Sequence, residues 1–267
     1  MTDLGTQFRA LHQRGNPFIL ANAWDIGSAK MLQNLGAQAV ATSSAAQAFT
    51  LGKPDGVTRD EALTHAQDLV RALDIPVSGD FENGFGDSPD DVAETIRLAG
   101  EIGLAGVCIE DIALPSDAPY DVALAAERIK AAASAACALK NDFFLLARAD
   151  GIMHGVYDLA EALNRIKAFE DAGADGLYVP LPASWEDLAT ICASTNLPVN
   201  ALAAGPYAQR RKSEFAAIGV ARISLGSSLA RVTHRALYDA ANTMLRDGDF
   251  TPLANGISSD VIDNLLV

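Results

Sequence analysis

Three short motifs hold the residues with chemistry to offer. The first is Gly79-Asp80-Phe81-Glu82-Asn83-Gly84-Phe85-Gly86, which follows an apolar run, Ile75-Pro76-Val77, that reads as a strand. Two carboxylates two residues apart on a strand share a face. At a barrel mouth Asp80 and Glu82 would form an acidic, oxygen-rich corner that repels itself unless a divalent cation sits in it. The second motif, Glu110-Asp111, ends the run Gly106-Val107-Cys108-Ile109. In the third, Arg148 ends the run Phe143-Phe144-Leu145-Leu146-Ala147. Acid, acid and base at successive strand ends suit an enzyme acting on a small molecule.

The elements that position these residues are read from a recurring joint. A helical stretch closes on Gly, one to three small or polar residues follow, and β-branched residues begin. Gly36, Gly103, Gly173 and Gly219 mark four such joints. Glycine at a helix end takes the left-handed conformation that stops the helix. Eight apolar segments read as strands: 18–24, 39–44, 76–81, 106–110, 143–149, 176–180, 198–202 and 222–225. Between them lie helical patterns, such as Val92, Ile96 and Ala99, or Leu159, Leu163, Ile166 and Phe169. Asp60-Glu61, Asp90-Asp91 and Glu186-Asp187 place acids at helix starts, as the dipole favours. Eight βα units predict one (β/α)8 TIM barrel over residues 1–267. A doubly wound open sheet is the alternative. An N-terminal helix over 4–14, an alanine-rich helix over 123–138 and a helix over 228–246 are expected. The tail 247–267 ends in Val261, Ile262, Leu265 and Leu266, which should pack on this subunit or a neighbour.

Composition narrows the function. With 49% hydrophobic and 20% charged residues, the 267-residue chain is ordinary globular material. Its net charge of −14 opposes nucleic acid, whose phosphates it would repel. No run approaches the ~20 apolar residues of a membrane span, and no signal peptide opens the chain. A cytoplasmic protein is expected. Cys108, Cys137 and Cys192 show no metal-ligand spacing and read as reduced, buried thiols.

Barrel enzymes of this kind carry their sites at the C-terminal strand ends. That rule selects Ser43, Ser44, Asp80, Glu82, Glu110, Asp111, Arg148, Asp150 and Asn200. Each has an ordinary alternative: Glu82 as loop chemistry, Arg148 as an ion pair with Asp150, Asn200 as a structural amide. His154, after the Arg148 strand, reaches the pocket as an acid or faces solvent as a loop histidine. Tyr120 is a candidate gate residue.

The segment Asp80 to Gly86 resembles the D-x-D-x-G-Y-G segment of the isocitrate lyase and phosphoenolpyruvate mutase superfamily. Gly103 to Asp111 resembles its G-x-x-G-x-x-I-E-D segment, and Leu146-Ala147-Arg148-Ala149-Asp150 its A-R-T-D segment. Order and spacing match over residues 15–235. The resemblance implies Mg²⁺ as cofactor, with Mn²⁺ as a substitute. Asp80 would contact the ion, while Glu82 and Glu110 hold its waters. Asp55 matches an acid in a mobile loop near the metal and is a catalytic candidate. Ser43 and Ser44 align with a Ser-Gly pair that binds the substrate carboxylate. Arg148 matches the arginine on the oxo-acid end. Relatives are homo-oligomers that exchange the last barrel helix, so a dimer or tetramer is implied. Leu229, Val232, Ala236 and Leu237 offer a seam, although an ordinary docked helix gives the same spacing.

Two departures narrow the reaction. The gate loop reads Ile112-Ala113-Leu114-Pro115-Ser116-Asp117-Ala118-Pro119-Tyr120, without the Cys of lyases or the Lys of mutases. Leu181 stands where the family has a glutamate after Pro180. Decarboxylation needs least from the missing groups, because CO₂ leaves without protonation. The expected activity is cleavage of a C–C bond in a 2-oxo or 2-hydroxy dicarboxylic acid, like oxaloacetate decarboxylase or methylisocitrate lyase. The alternatives are a phosphonopyruvate hydrolase or phosphonomutase, and a non-catalytic 2-oxoacid binder.

Overall fold

Each of the four glycine joints forms as its sequence dictates. In the computed structural model, which describes residues 3–54 and 56–267, Gly36, Gly103, Gly173 and Gly219 have φ between 90° and 100°. That conformation is cheap only for glycine, and it turns each helix into the next strand. Helix starts are fixed by reciprocal caps. Thr58 with Glu61, Ser88 with Asp91, and Ser184 with Asp187 each exchange side-chain and backbone hydrogen bonds. The acids at these starts therefore act as capping partners as well as dipole partners.

Eight parallel strands close into a barrel. They are β1 (Phe18–Asn22), β2 (Val40–Ala41), β3 (Val77–Asp80), β4 (Gly106–Glu110), β5 (Phe144–Arg148), β6 (Gly176–Tyr178), β7 (Val199–Leu202) and β8 (Arg222–Ser224). Closure is made by β1 on β8, where Phe18 pairs with Arg222, and this removes the open-sheet alternative. Most strands end one to three residues before the apolar pattern does. At β2 the cause is Ser43, whose hydroxyl accepts from the Ala46 amide and starts the helix Ser44–Thr50.

Inside the barrel Phe18, Leu20, Cys108, Phe144, Leu146 and Tyr178 pack together. Phe8, from the N-terminal helix Leu4–Leu11, closes the lower end. That helix is one turn shorter than its pattern. It ends at His12, which lies flat on Phe144 with ring centres 3.8 Å apart. His12 Nδ1 lies 2.8 Å from the Phe8 carbonyl, so Nδ1 carries the proton and donates. Nε2 is buried without a hydrogen-bond partner. Burial, helped by the charge of Arg222, lowers the His12 pKa from 6.5 to about 3.

The sign of the consequence follows. Between those values the unfolded chain holds a proton that the native chain refuses, so stability falls as pH falls through the window. By pH 5 the loss from this group is about 2 kcal/mol. Urea denaturation at pH 7.5 and pH 5 should show a flatter pH dependence for His12→Phe than for the parent chain. An equally steep fall would assign the effect elsewhere.

The alanine-rich helix runs Val122–Cys137 and the last barrel helix Ser228–Asp247. The tail forms a further helix, Ser259–Leu266. It docks on this subunit's own helix Ile26–Asn34, where Lys30 Nζ donates to the Leu266 carbonyl at 2.8 Å and Asn34 to that of Leu265 at 2.9 Å. Cys108 and Cys192 are buried as expected. Cys137 is exposed, a correction that follows from its place in the last turn of a surface helix. Among the described residues no helix is long and apolar enough to cross a membrane.

Candidate active site

The tips of β3, β4 and β5 meet at one guanidinium. Arg148 grips Asp150 with two bonds, Nε to Oδ1 at 2.6 Å and Nη2 to Oδ2 at 2.8 Å. This leaves Nη1, which lies 3.1 Å from Glu110 Oε2 and 3.8 Å from Asp80 Oδ1. The pairing of Arg148 with Asp150 read from the sequence is therefore real. It does not replace the convergence with the two acids; it aims the free end of the fork at them.

Asp80 is held from the opposite side. Its Oδ2 accepts from the Ser44 amide at 3.1 Å and the Ser44 hydroxyl at 3.3 Å. The Asp80 amide donates to the Thr42 hydroxyl at 2.8 Å. Ser44 thus brings a helix N-terminus to the acid corner, while the neighbouring Ser43 oxygen is used as that helix's cap.

Glu82 reaches the corner by a route the pleat argument did not give. The strand ends at Asp80, and Glu82 lies in a turn with φ 47°. Its carbonyl accepts from the Glu110 amide at 2.9 Å, which docks the turn onto β4. Around the turn, Tyr120 donates to Asp87 at 2.6 Å and accepts from Asn83 at 2.9 Å. Arg128 stacks 4.1 Å above the Tyr120 ring and donates to the carbonyls of Gly86 and Asn83. Tyr120 is therefore a buttress of this turn. The gate segment itself is a short antiparallel hairpin, in which Ile112 pairs with Pro119.

The expected Glu110-Asp111 pair is split by strand alternation. Glu110 faces the corner, buried, and burial raises its pKa well above the usual carboxylate range against the pull of Arg148. Asp111 points away and accepts from the Asp150 amide at 2.8 Å, the Tyr157 hydroxyl at 2.9 Å and Arg165 Nη1 at 2.9 Å. It fixes the residue that fixes Arg148. At Asp150 the burial penalty is outweighed by Arg148 and His154, so its pKa stays below the ordinary value.

His154 joins behind Asp150, with Nε2 3.0 Å from Oδ2. This hydrogen bond raises its pKa. Asn200 does not join. Its amide donates to Ser224 at 2.8 Å and its oxygen accepts from Arg222 Nε at 3.0 Å, so both ends are used lower in the barrel. Asp55 lies outside the described residues. Sequence reading missed Arg222, a fully interior arginine; its signal was a charge opening a strand whose next residues are Ile223 and Ser224.

Asp80, Glu82 and Glu110 offer only oxygen, the donor set of a hard divalent cation. Among the described residues no three acidic, His or Cys side chains are arranged to ligate an ion directly. Asp80, Glu82 and Glu110 are the residues that would hold such an ion, which would keep most of its waters.

A family model, phosphoenolpyruvate phosphomutase, matches residues 8–245 of this chain. The chain belongs to that family. That family and its isocitrate lyase relatives include both lyases and mutases, 2-methylisocitrate lyase among them. A crystal structure from Burkholderia cenocepacia, provisionally assigned as a lyase/mutase, superimposes with a TM-score of 0.93 at 43% identity, covering 97% of this chain and 94% of that one. An uncharacterized protein of Mycobacterium tuberculosis is 34% identical over 251 residues, 92% of this chain and 91% of its own. Oxaloacetate decarboxylase of Paraburkholderia xenovorans is 29% identical over 255 residues, 91% and 83% respectively.

Proposed function

We propose that this enzyme is a Mg²⁺-dependent lyase or decarboxylase. It cleaves a C–C bond of a 2-oxo dicarboxylic acid to leave the enolate of pyruvate, or of a 2-hydroxy dicarboxylic acid to release pyruvate as the ketone with the bonding pair left on the other carboxylate fragment. The observation that carries this reading is the single Nη1 of Arg148 lying against Glu110 and Asp80 while Asp150 holds the rest of the fork. When bound, Mg²⁺ or Mn²⁺ supplies Lewis-acid stabilisation to the oxo-acid oxygens. Arg148 adds a fixed positive charge beside the oxygen where negative charge develops. Asp150, locked by Asp111, keeps that charge from moving. The Ser44 end of its helix holds Asp80 in place through the Ser44 amide and hydroxyl.

The test is a panel of oxaloacetate, alkylated malates and phosphonopyruvate with Mg²⁺, following pyruvate and phosphate. Pyruvate from a dicarboxylic acid is expected. Phosphate from phosphonopyruvate would replace this reading by P–C chemistry, and oxalate binding with no turnover by a non-catalytic binder.

The same reading places the protein in the cytoplasm as a homo-oligomer. Ile19, on the outer face of β1, is 48% exposed. The helix Ser228–Asp247 does not cover it and shows Leu237 at 66% and Leu245 at 85% exposure. A bare barrel strand and a helix with exposed apolar side chains are completed by a second copy. Sedimentation at micromolar concentration should give a dimer or larger; a monomer would count against it.

A further inference from the structure

Arg222 stands inside the barrel, below the acid corner, with 4% exposure. Its Nε is used by Asn200 at 3.0 Å, while its Nη1 is buried with no hydrogen-bond partner. No carboxylate neutralises it through a salt bridge among the described residues, although its charge is felt by Cys108, Tyr178 and Asp80. A buried, unpaired guanidinium is costly. Hydrophobic packing would have filled the same volume more cheaply, so the charge calls for an account. The hydrogen bonds lead upward. Asn200 passes from Arg222 to Ser224, and Tyr178, which bonds Ser224, lies under Arg148 with the guanidinium carbon 5.4 Å from the ring centre.

The charges of the corner supply the account. Among the described residues Asp80, Glu82, Glu110 and Asp150 share one permanently charged cation, Arg148, at the strand tips, with His154 behind Asp150. With a divalent ion present, the four acids ionised and His154 neutral, that set still carries one net negative charge. An anionic oxo-acid would meet repulsion. A positive charge buried below the corner would offset it, and Arg222 lies there.

We infer that Arg222 is a positioning residue acting through charge: it brings the cation-loaded acid corner to near neutrality, weakening the hold on the metal and strengthening the hold on an anionic substrate. The inference rests on the proposed function, since it needs a divalent ion and an oxo-acid at this corner. It makes a demand that a scaffold role does not. Loss of a scaffold residue weakens both ligands, whereas loss of a positive charge moves them in opposite directions.

The experiment titrates Mn²⁺ alone, by its electron paramagnetic resonance signal, and then oxalate at saturating Mn²⁺. Arg222→Gln keeps hydrogen-bonding capacity and removes charge; Arg222→Lys keeps charge and changes the hydrogen bonds. Arg222→Gln should bind Mn²⁺ about tenfold more tightly and oxalate about tenfold more weakly, an effect of the size expected for one charge acting through a partly desolvated barrel interior. Arg222→Lys should match the parent within about twofold, given retained charge at similar depth. Weaker binding of both ligands by Arg222→Gln, no change in either, loss of oxalate affinity in a folded Arg222→Lys, or failure of both variants to fold would overturn the inference. If the parent chain binds neither Mn²⁺ nor oxalate, the proposed function falls, and this inference with it.

Discussion

Asp80→Asn should lower turnover by about a thousandfold or more, the scale of losing an electrostatic anchor for a catalytic cation, while the protein remains folded. The amide keeps the shape of the side chain, and its oxygen still accepts from the Ser44 amide and hydroxyl that hold the native carboxylate. What disappears is the negative charge that draws the cation to the β3 tip. Stability should change by less than about 1 kcal/mol, and upward is the expected direction without metal. Asp80 and Glu82 both press their charge on the buried Glu110, so removing one relieves repulsion. Turnover with the best substrate of the panel, Mn²⁺ titration and thermal melting check the three parts. Retained turnover, or loss of turnover only through unfolding, would remove Asp80 from the site.

Arg148→Met should be as damaging to turnover and, unlike Asp80→Asn, costly to the fold. Arg148 is the partner of Asp150, whose side chain is 1% exposed. Deleting it leaves a buried carboxylate with only His154 and the Asp111-held backbone around it, so a cost of about 3–5 kcal/mol is expected. Arg148→Lys separates the two effects. An ammonium keeps one charge but cannot make the two-pronged contact with Asp150 and point a third N–H at Glu110. It should recover much of the stability and little of the turnover, with losses of about a hundredfold persisting. Denaturant midpoints and kcat/KM on the three proteins decide this. A fully active Arg148→Lys would mean that position, not fork geometry, is what the site requires.

The barrel was legible because its punctuation is local. Gly36, Gly103, Gly173 and Gly219 announce their joints through a conformation that depends on one residue at a time. The corner was legible because Asp80, Glu110 and Arg148 end apolar runs, and a barrel brings such ends together. The rest depended on contacts far apart in sequence. Nothing near Asp111 says that it faces Arg165 and Tyr157 instead of the pocket. Strand alternation allowed that reading, but the motif placed both acids in one pair. A strand face shared with Asp80 would make Glu82 part of the strand, but β3 stops at Asp80, and the Phe81–Gly84 turn is closed by a backbone bond invisible to periodicity. Tyr120 is a gate candidate by its place in the loop, and its role in the Glu82 turn is hidden from sequence because its partners Asp87, Asn83 and Arg128 come from two other segments. Asn200 was placed at the mouth, whereas Arg222 and Ser224 engage it lower down.

The docked tail has a consequence for how this chain comes into being. Lys30 and Leu266 are 236 positions apart, and the barrel's seam joins its first strand to its last. Neither closure has anything to pair with until nearly all of the sequence has emerged from the ribosome. A nascent chain must hold β1 with an unmatched edge throughout that interval, and such edges recruit other chains. Slow assembly of distant parts, more than any weakness of the finished barrel, sets the hazard this protein faces at birth.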